Sequence, residues 1–125
     1  MKRLIFLGLA IAAASFALGD ENEVIRALVI DTESGRIPQT VVAPEYPRKA
    51  RRDRVEGEVQ VCFDVDRKGR TRRVAVRHSS NRAFERPSIR AVKASTFRPL
   101  EDDQEMQPIK SCRTFRFSLQ PVEKE

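Results

Sequence analysis

The stretch Gly57-Glu-Val-Gln-Val-Cys-Phe-Asp-Val-Asp-Arg-Lys-Gly-Arg-Thr-Arg-Arg-Val-Ala-Val-Arg-His78 decides how the rest of the chain is read. Val59, Val61, Phe63 and Val65 alternate with Glu58, Gln60, Cys62 and Asp64, the two-residue period of a strand that buries one face. Asp66-Arg67-Lys68-Gly69 then supplies turn chemistry: an Asp that can bond its own backbone and a Gly free to take positive φ. A second alternating run follows, with Val74 and Val76 as its buried pair, so the stretch reads as a β-hairpin. A hairpin alone is only marginally stable in water, and its apolar face must be covered from elsewhere in the chain.

Cover comes first from the C-terminal side. Ser79, Ser80 and Asn81 break the strand, and Phe84 is an isolated aromatic suited to plug the end of the core. Pro87 suits a first helical position, and Ile89, Ala91, Val92 and Ser95 recur near the helical period, which predicts a helix over 87–96 that stops before Pro99. An acidic loop over 100–108 follows. The run Ile109 to Leu119 alternates again, with Phe115, Phe117 and Leu119 on one side and Cys112, Thr114, Arg116 and Ser118 on the other, and predicts a third strand.

In a strand–strand–helix–strand order with short connections, the third strand most easily lies beside the first and antiparallel to it. The hairpin's second strand then takes the opposite edge. Cys62 and Cys112 both fall on the face away from the apolar residues, the parity a cross-strand disulfide requires. Such a bridge closes a loop of about 50 residues and would contribute on the order of 3–4 kcal/mol in the chain-entropy model.

The N-terminal side is less patterned. Pro47 is placed to open a short basic helix over 47–54, with Ala50 and Val55 as its inward candidates. Val24, Ile25, Leu28, Val29 and Ile30 form an apolar segment followed by a turn or linker from Asp31 to Gly35; an extra strand and an N-terminal arm are both open readings. Further upstream, Lys2 and Arg3 precede an apolar run from Leu4 to Leu18 and then small residues, the order of a secretory signal peptide. Ala17 and Gly19, or alternatively Ser15 and Ala17, fit the residues before the cleavage point. An uncleaved anchor is the competing reading, although fifteen residues at 1.5 Å each reach roughly 22 Å, short of the roughly 30 Å hydrocarbon core. The expected organisation is a signal peptide over 1–19, an arm or linker over 20–43, a folded domain over 44–121 and a tail over 122–125.

The 125 residues carry a net charge of +6, which falls to +4 once Lys2 and Arg3 leave with the signal. An exported chain does not normally meet nucleic acid. Arg48, Lys49, Arg51, Arg52 and Arg54 are also interspersed with Asp53 and Glu56, without aromatics on which bases could stack. The charge fits solvated faces and attraction to acidic partners or membrane headgroups. His78 is the single histidine and no Cys-x-x-Cys spacing occurs, so neither a metal site nor a nucleophile–histidine pairing is expected. The chain reads as a non-enzyme without a cofactor.

With these pieces in order, the chain resembles the TonB C-terminal domain family. The resemblance rests on Pro44-x-Tyr46-Pro47 with Ala50, on Gly57-x-Val59-x-Val61-x-Phe63-x-Val65-Asp66-x-x-Gly69, and on Val74, Val76 and Ser79-Ser80. Phe84, Ala91, Phe97-Arg98-Pro99 and Phe115-x-Phe117 complete it, so that it covers residues 44–119. It implies an α+β fold with a three-stranded antiparallel sheet and two helices on one face. It also implies work in the periplasm, on transport across the outer membrane, by contact with envelope proteins such as the N-terminal peptide of an outer-membrane transporter. That contact is a strand added to an exposed sheet edge.

By resemblance, the backbone of the third strand, at Arg113, Thr114, Arg116 and Ser118, would pair with the partner, with Tyr46 and Pro47 beside it. An exposed edge would equally permit a homodimer. The long Pro-rich spacer and the anchor histidine of a full transducer have no counterpart here: seven prolines are scattered over the chain, and the N-terminal run holds no histidine. A TolA-like envelope scaffold domain, or a transducer working through an uncleaved anchor, are the alternatives. The intact mass of the exported protein is expected to correspond to a chain beginning at Asp20, and a mass beginning at Met1 would establish the anchored form.

Overall fold

The computed structural model describes the backbone of 24–30 and all of 34–119, and among these described residues alternation, turn residues and caps produce nine ordered elements. In chain order they are β1 (Val24–Ile30), β2 (Pro38–Thr40), α1 (Arg48–Arg52), β3 (Gly57–Val65), β4 (Thr71–Ser79), a 3-10 turn (Arg82–Phe84), α2 (Glu85–Ala94), β5 (Thr96–Phe97) and β6 (Ser111–Ser118). The expected signal peptide over 1–19, the first residues of the expected turn at 31–33 and the tail at 122–125 lie outside the described residues.

The fold is α+β, with the antiparallel strands β6, β3 and β4 as its centre and two helices against one face, as expected. Sheet order is β1-β6-β3-β4, while β2 and β5 form a separate two-stranded ladder. Pairing of β3 with β6 runs without a slip from Gly57 opposite Phe117 to Phe63 opposite Ser111. Pairing of β3 with β4 is interrupted twice, and at one interruption Arg73 takes a φ of 52°. Cys62 lies directly opposite Cys112, their Cα atoms 4.0 Å apart, and the two are joined by a disulfide on the face away from the helices.

The hairpin turn owes its shape to Asp66 and Gly69. One Asp66 carboxylate oxygen accepts from the N–H groups of Lys68 and Arg70, each at 2.9 Å, and the other accepts from Arg72 Nε at 2.9 Å. Partial desolvation alone would raise the Asp66 pKa, but these hydrogen bonds and the Arg72 charge outweigh it and hold the carboxyl below its ordinary value. Gly69 sits at φ 88°, where side chains are disfavoured, and its carbonyl accepts the Phe97 N–H at 2.8 Å. The turn is thereby docked on β5.

The helices start where local capping allows. α1 begins after Pro47 and ends at Arg52, shorter than the expected 47–54, because Arg54 leaves helical geometry at φ 56° and Val55 N–H closes back onto the Ala50 carbonyl at 2.8 Å. α2 begins at Glu85, before Pro87. The Asn81 side chain accepts from Ala83 N–H at 2.9 Å and starts a 3-10 turn that leads straight into the helix. Pro87 is still in the first turn, where a missing N–H costs nothing. The earlier start turns Ser88, with Pro87, Ala91 and Val92, into the core and leaves Ile89 half-buried, against the expectation that Ile89 points inward. Ser88 satisfies its hydroxyl on the Phe84 carbonyl at 2.8 Å.

Between sheet and helices, Phe84 stacks on Phe117 with ring centroids 4.2 Å apart. Tyr46 meets both rings edge-on at 5.5 and 5.6 Å, and its hydroxyl donates to the Val55 carbonyl. Tyr46→Phe is expected to lower stability by about 1 kcal/mol and Tyr46→Ala by about 3–5 kcal/mol, read by urea unfolding. Gly69→Ala is expected to cost about 1–3 kcal/mol from backbone strain alone, and more because its Cβ would strike the Phe97 carbonyl. An unchanged thermal midpoint for Gly69→Ala would show that the turn is not held against β5.

Candidate functional site

β6 is the strand on which the family resemblance leads one to expect partner contact. Period-two alternation turns Phe115 and Phe117 inward and leaves Thr114 and Ser118 half-buried and Arg116 exposed on the other face, beside Cys112. Arg113 shares the inward parity of Phe115. Its side chain is only 2 % exposed, with the guanidinium 5.8 Å from the Phe63 ring centre and 5.6 Å from that of Phe97. Nη1 finds no hydrogen-bond partner among the described residues, and burial lowers the pKa of the group. Of Arg113, then, only the backbone is placed for a contact at the strand edge; the side chain is a core cation packed beside two neighbouring rings.

The expectation that β6 forms a free edge is corrected by β1, which pairs antiparallel along it. Val24, Ile25 and Arg26 lie opposite Ser118, Phe117 and Arg116, and Val29 and Ile30 lie opposite Thr114 and Arg113, with an irregularity between the two sets. The edge route to a homodimer is therefore occupied as well. The physical reason is that β6, once paired with β3, still presents a row of backbone donors and acceptors on its other side. The apolar, β-branched Val24–Ile30 segment satisfies them. That segment is too short, with Arg26 as its one polar position, for periodicity to separate strand from arm.

Tyr46 and β6 are brought together through the core rather than on the surface, since the tyrosine ring rests on Phe117. Pro47, half-buried, ends the extended approach to α1. Sequence reasoning missed a shallow cleft of about 440 Å³ at this end of the sheet, lined by Glu56, Gly57, Glu58, Ser80, Arg116 and Ser118. Its floor is fixed locally: Ser80 Oγ accepts the Glu58 N–H at 2.8 Å, and Ser80 N–H returns to the Glu58 carbonyl at 2.9 Å. Gly57 is required there, because a Cβ would press on the Phe84 ring at 2.7 Å and on Ser80 Oγ at 2.9 Å. The signal available in the sequence was Gly57 and Ser80 at the two ends of the hairpin.

Among the described residues no cluster of three or more His, Cys, Asp or Glu side chains could hold a metal ion. No described helix is long and apolar enough to cross a membrane, which leaves membrane-crossing strands unaddressed.

Comparison with known proteins joins this geometry to a family. The family model described as the Gram-negative bacterial TonB protein C-terminal matches residues 42–119. Among solved structures the chain is similar to the solution NMR structure of the Pseudomonas aeruginosa TonB C-terminal domain, with 26% identity, a TM-score of 0.57, and coverage of 76% of this chain and 93% of that one. No curated protein sequence matches. The family match spans well over half the chain, includes every strand of the central three and both helices, and fits the observed topology: the chain belongs to the Gram-negative bacterial TonB C-terminal domain family.

Proposed function

We propose that this domain is an exported, non-enzymatic binding module that recognises an extended segment of an envelope protein in the periplasm. An N-terminal peptide of an outer-membrane transporter is the foremost candidate. The segment adds as a strand along β6. The observation that carries this reading is that β6 already accepts an antiparallel strand on that edge, supplied by β1. Strand addition gives affinity through main-chain hydrogen bonds, while outward side chains of the acceptor strand set preference. Thr114, Arg116 and Ser118 supply that outward row. Pro47 flanks it, and Tyr46 acts from below by bracing Phe117.

The two sheet edges support β6 over β4. The β4 ladder with β3 is broken at two places, and its Arg72 and Arg73 are tied to Asp66 and Asp64. Bulges and charges of this kind blunt an edge against pairing. β6, by contrast, is held by β3 in continuous register, whereas its hold on β1 is interrupted. An incoming peptide exchanges with β1, and the work of displacing β1 lowers its apparent affinity. The domain receives a partner in this reading.

Replacing both Ile25 and Arg26 by proline tests the exchange. Successive N–H groups of a strand point to opposite sides, so the double change removes at least one donor of the β1–β6 ladder whichever way β1 faces. Affinity for a labelled transporter N-terminal peptide, read by fluorescence anisotropy, is expected to rise about fivefold for each ladder hydrogen bond lost. Unchanged or weakened binding would mean that β6 is not the acceptor.

A further inference from the structure

Charge is unevenly spread over this fold. Residues 48–54 carry five cations and one acid, and residues 82–93 carry four cations and one acid. Their net charges, +4 and +3, together exceed the +6 of the whole chain, so that everything else sums to −1. On the hairpin the cations are answered by acids: Arg72 meets Asp66 at 2.9 Å, while Arg73 and Lys110 meet Asp64 at 3.6 and 3.0 Å. Around α1, Asp53 faces Arg52 at 3.6 Å and Glu56 accepts the Leu119 N–H at 2.9 Å, while residues 48–54 keep a surplus of positive charge.

Both helices turn the same way. Ala50 of α1 and Ala91 and Val92 of α2 join the core that covers the inner face of the sheet. Arg48, Lys49, Arg52 and Arg54, together with Arg86 and Arg90 one helical turn apart on α2, are exposed. Among the described residues, one cleft of about 660 Å³ lies between the hairpin and residues 106–110 and another of about 440 Å³ at the Gly57 end of the sheet, neither lined by the exposed cations of the two helices. A basic helical face that lines neither of these clefts takes no part in any selection they make among the side chains of a peptide. Against a flat anionic layer, however, its cations act additively within the screening distance, about 8–10 Å at physiological salt.

We infer that the α1–α2 face is a docking surface for an anionic phospholipid membrane, separate from the β6 edge and usable at the same time. Cosedimentation of the purified protein with vesicles of phosphatidylcholine, with and without phosphatidylglycerol, tests it. Each cation near an anionic surface strengthens binding about fivefold, so Arg48→Gln/Lys49→Gln/Arg52→Gln is expected to weaken binding to the anionic vesicles on the order of a hundredfold. Arg86→Gln/Arg90→Gln, on the other helix, is expected to weaken it independently. High salt should abolish the difference, thermal unfolding should be unchanged because all these side chains are exposed, and peptide affinity at β6 should be unaffected. Equal binding to neutral vesicles by wild type and variants is the expected control result. Undiminished binding of both variants to anionic vesicles, or no wild-type binding to them, overturns the inference. Capture of polyglutamate without vesicle binding overturns it too and assigns the face to an acidic protein.

Discussion

The unbroken ladder between β3 and β6 places everything else in this domain. Because side chains alternate across a strand, a slip of one residue would carry Phe115 and Phe117 to the outer face and separate Cys62 from Cys112. In the observed register the two phenylalanines complete the floor on which Phe84, Tyr46 and Val92 pack, and the cysteines meet directly on the other side. Apolar packing on one face and a covalent bond on the other thus specify the same alignment. Such agreement between independent constraints is what gives a small domain a single well-defined fold.

That ladder also determines where the domain can meet other molecules. A sheet of β6, β3 and β4 has two open edges, and the fold treats them differently. β4 is made a poor template by its two irregularities, by Arg73 at positive φ and by arginines held on Asp64 and Asp66. β6 is kept regular and is covered by a segment of the chain itself. Covering an edge with a strand of the same chain satisfies its backbone groups and guards it against indiscriminate pairing. The helices meanwhile present exposed cations on the side of the sheet that they cover.

Arg113 and Tyr46 mark the difference between a residue's type and its placement. Arginine on a strand that meets a partner suggests a contact, yet Arg113 lies on the Phe115 side and is enclosed by Phe63 and Phe97. The two-residue period already placed it there. Its side-chain type argued against burial, and a cation beside aromatic rings is one of the few settings that reconcile the two. Tyr46 similarly holds the end of the core, its hydroxyl satisfied by the Val55 carbonyl as a buried polar group requires.

Most of the fold was legible in the residues themselves, because hairpin, third strand, second helix and the parity of the cysteines depend on local periodicity and turn chemistry, which act over a few neighbours. Asp66 and Gly69 declare a turn wherever they occur in such a pattern, and Phe84 declares a core position by being the lone aromatic in a polar connection. The start of α2 was less legible, since the Asn81 cap competes with the Pro87 signal and their balance depends on where Phe84 must pack. The role of Val24–Ile30 was not legible at all. A short apolar segment with no clear period is equally suited to a strand or an arm, and only the unpaired backbone of β6, created by folding far along the chain, decides that it becomes β1. The same holds for the basic helices: the sequence by itself determined their charge, but only the tertiary structure, by covering one sheet face with both, set those charges on one side.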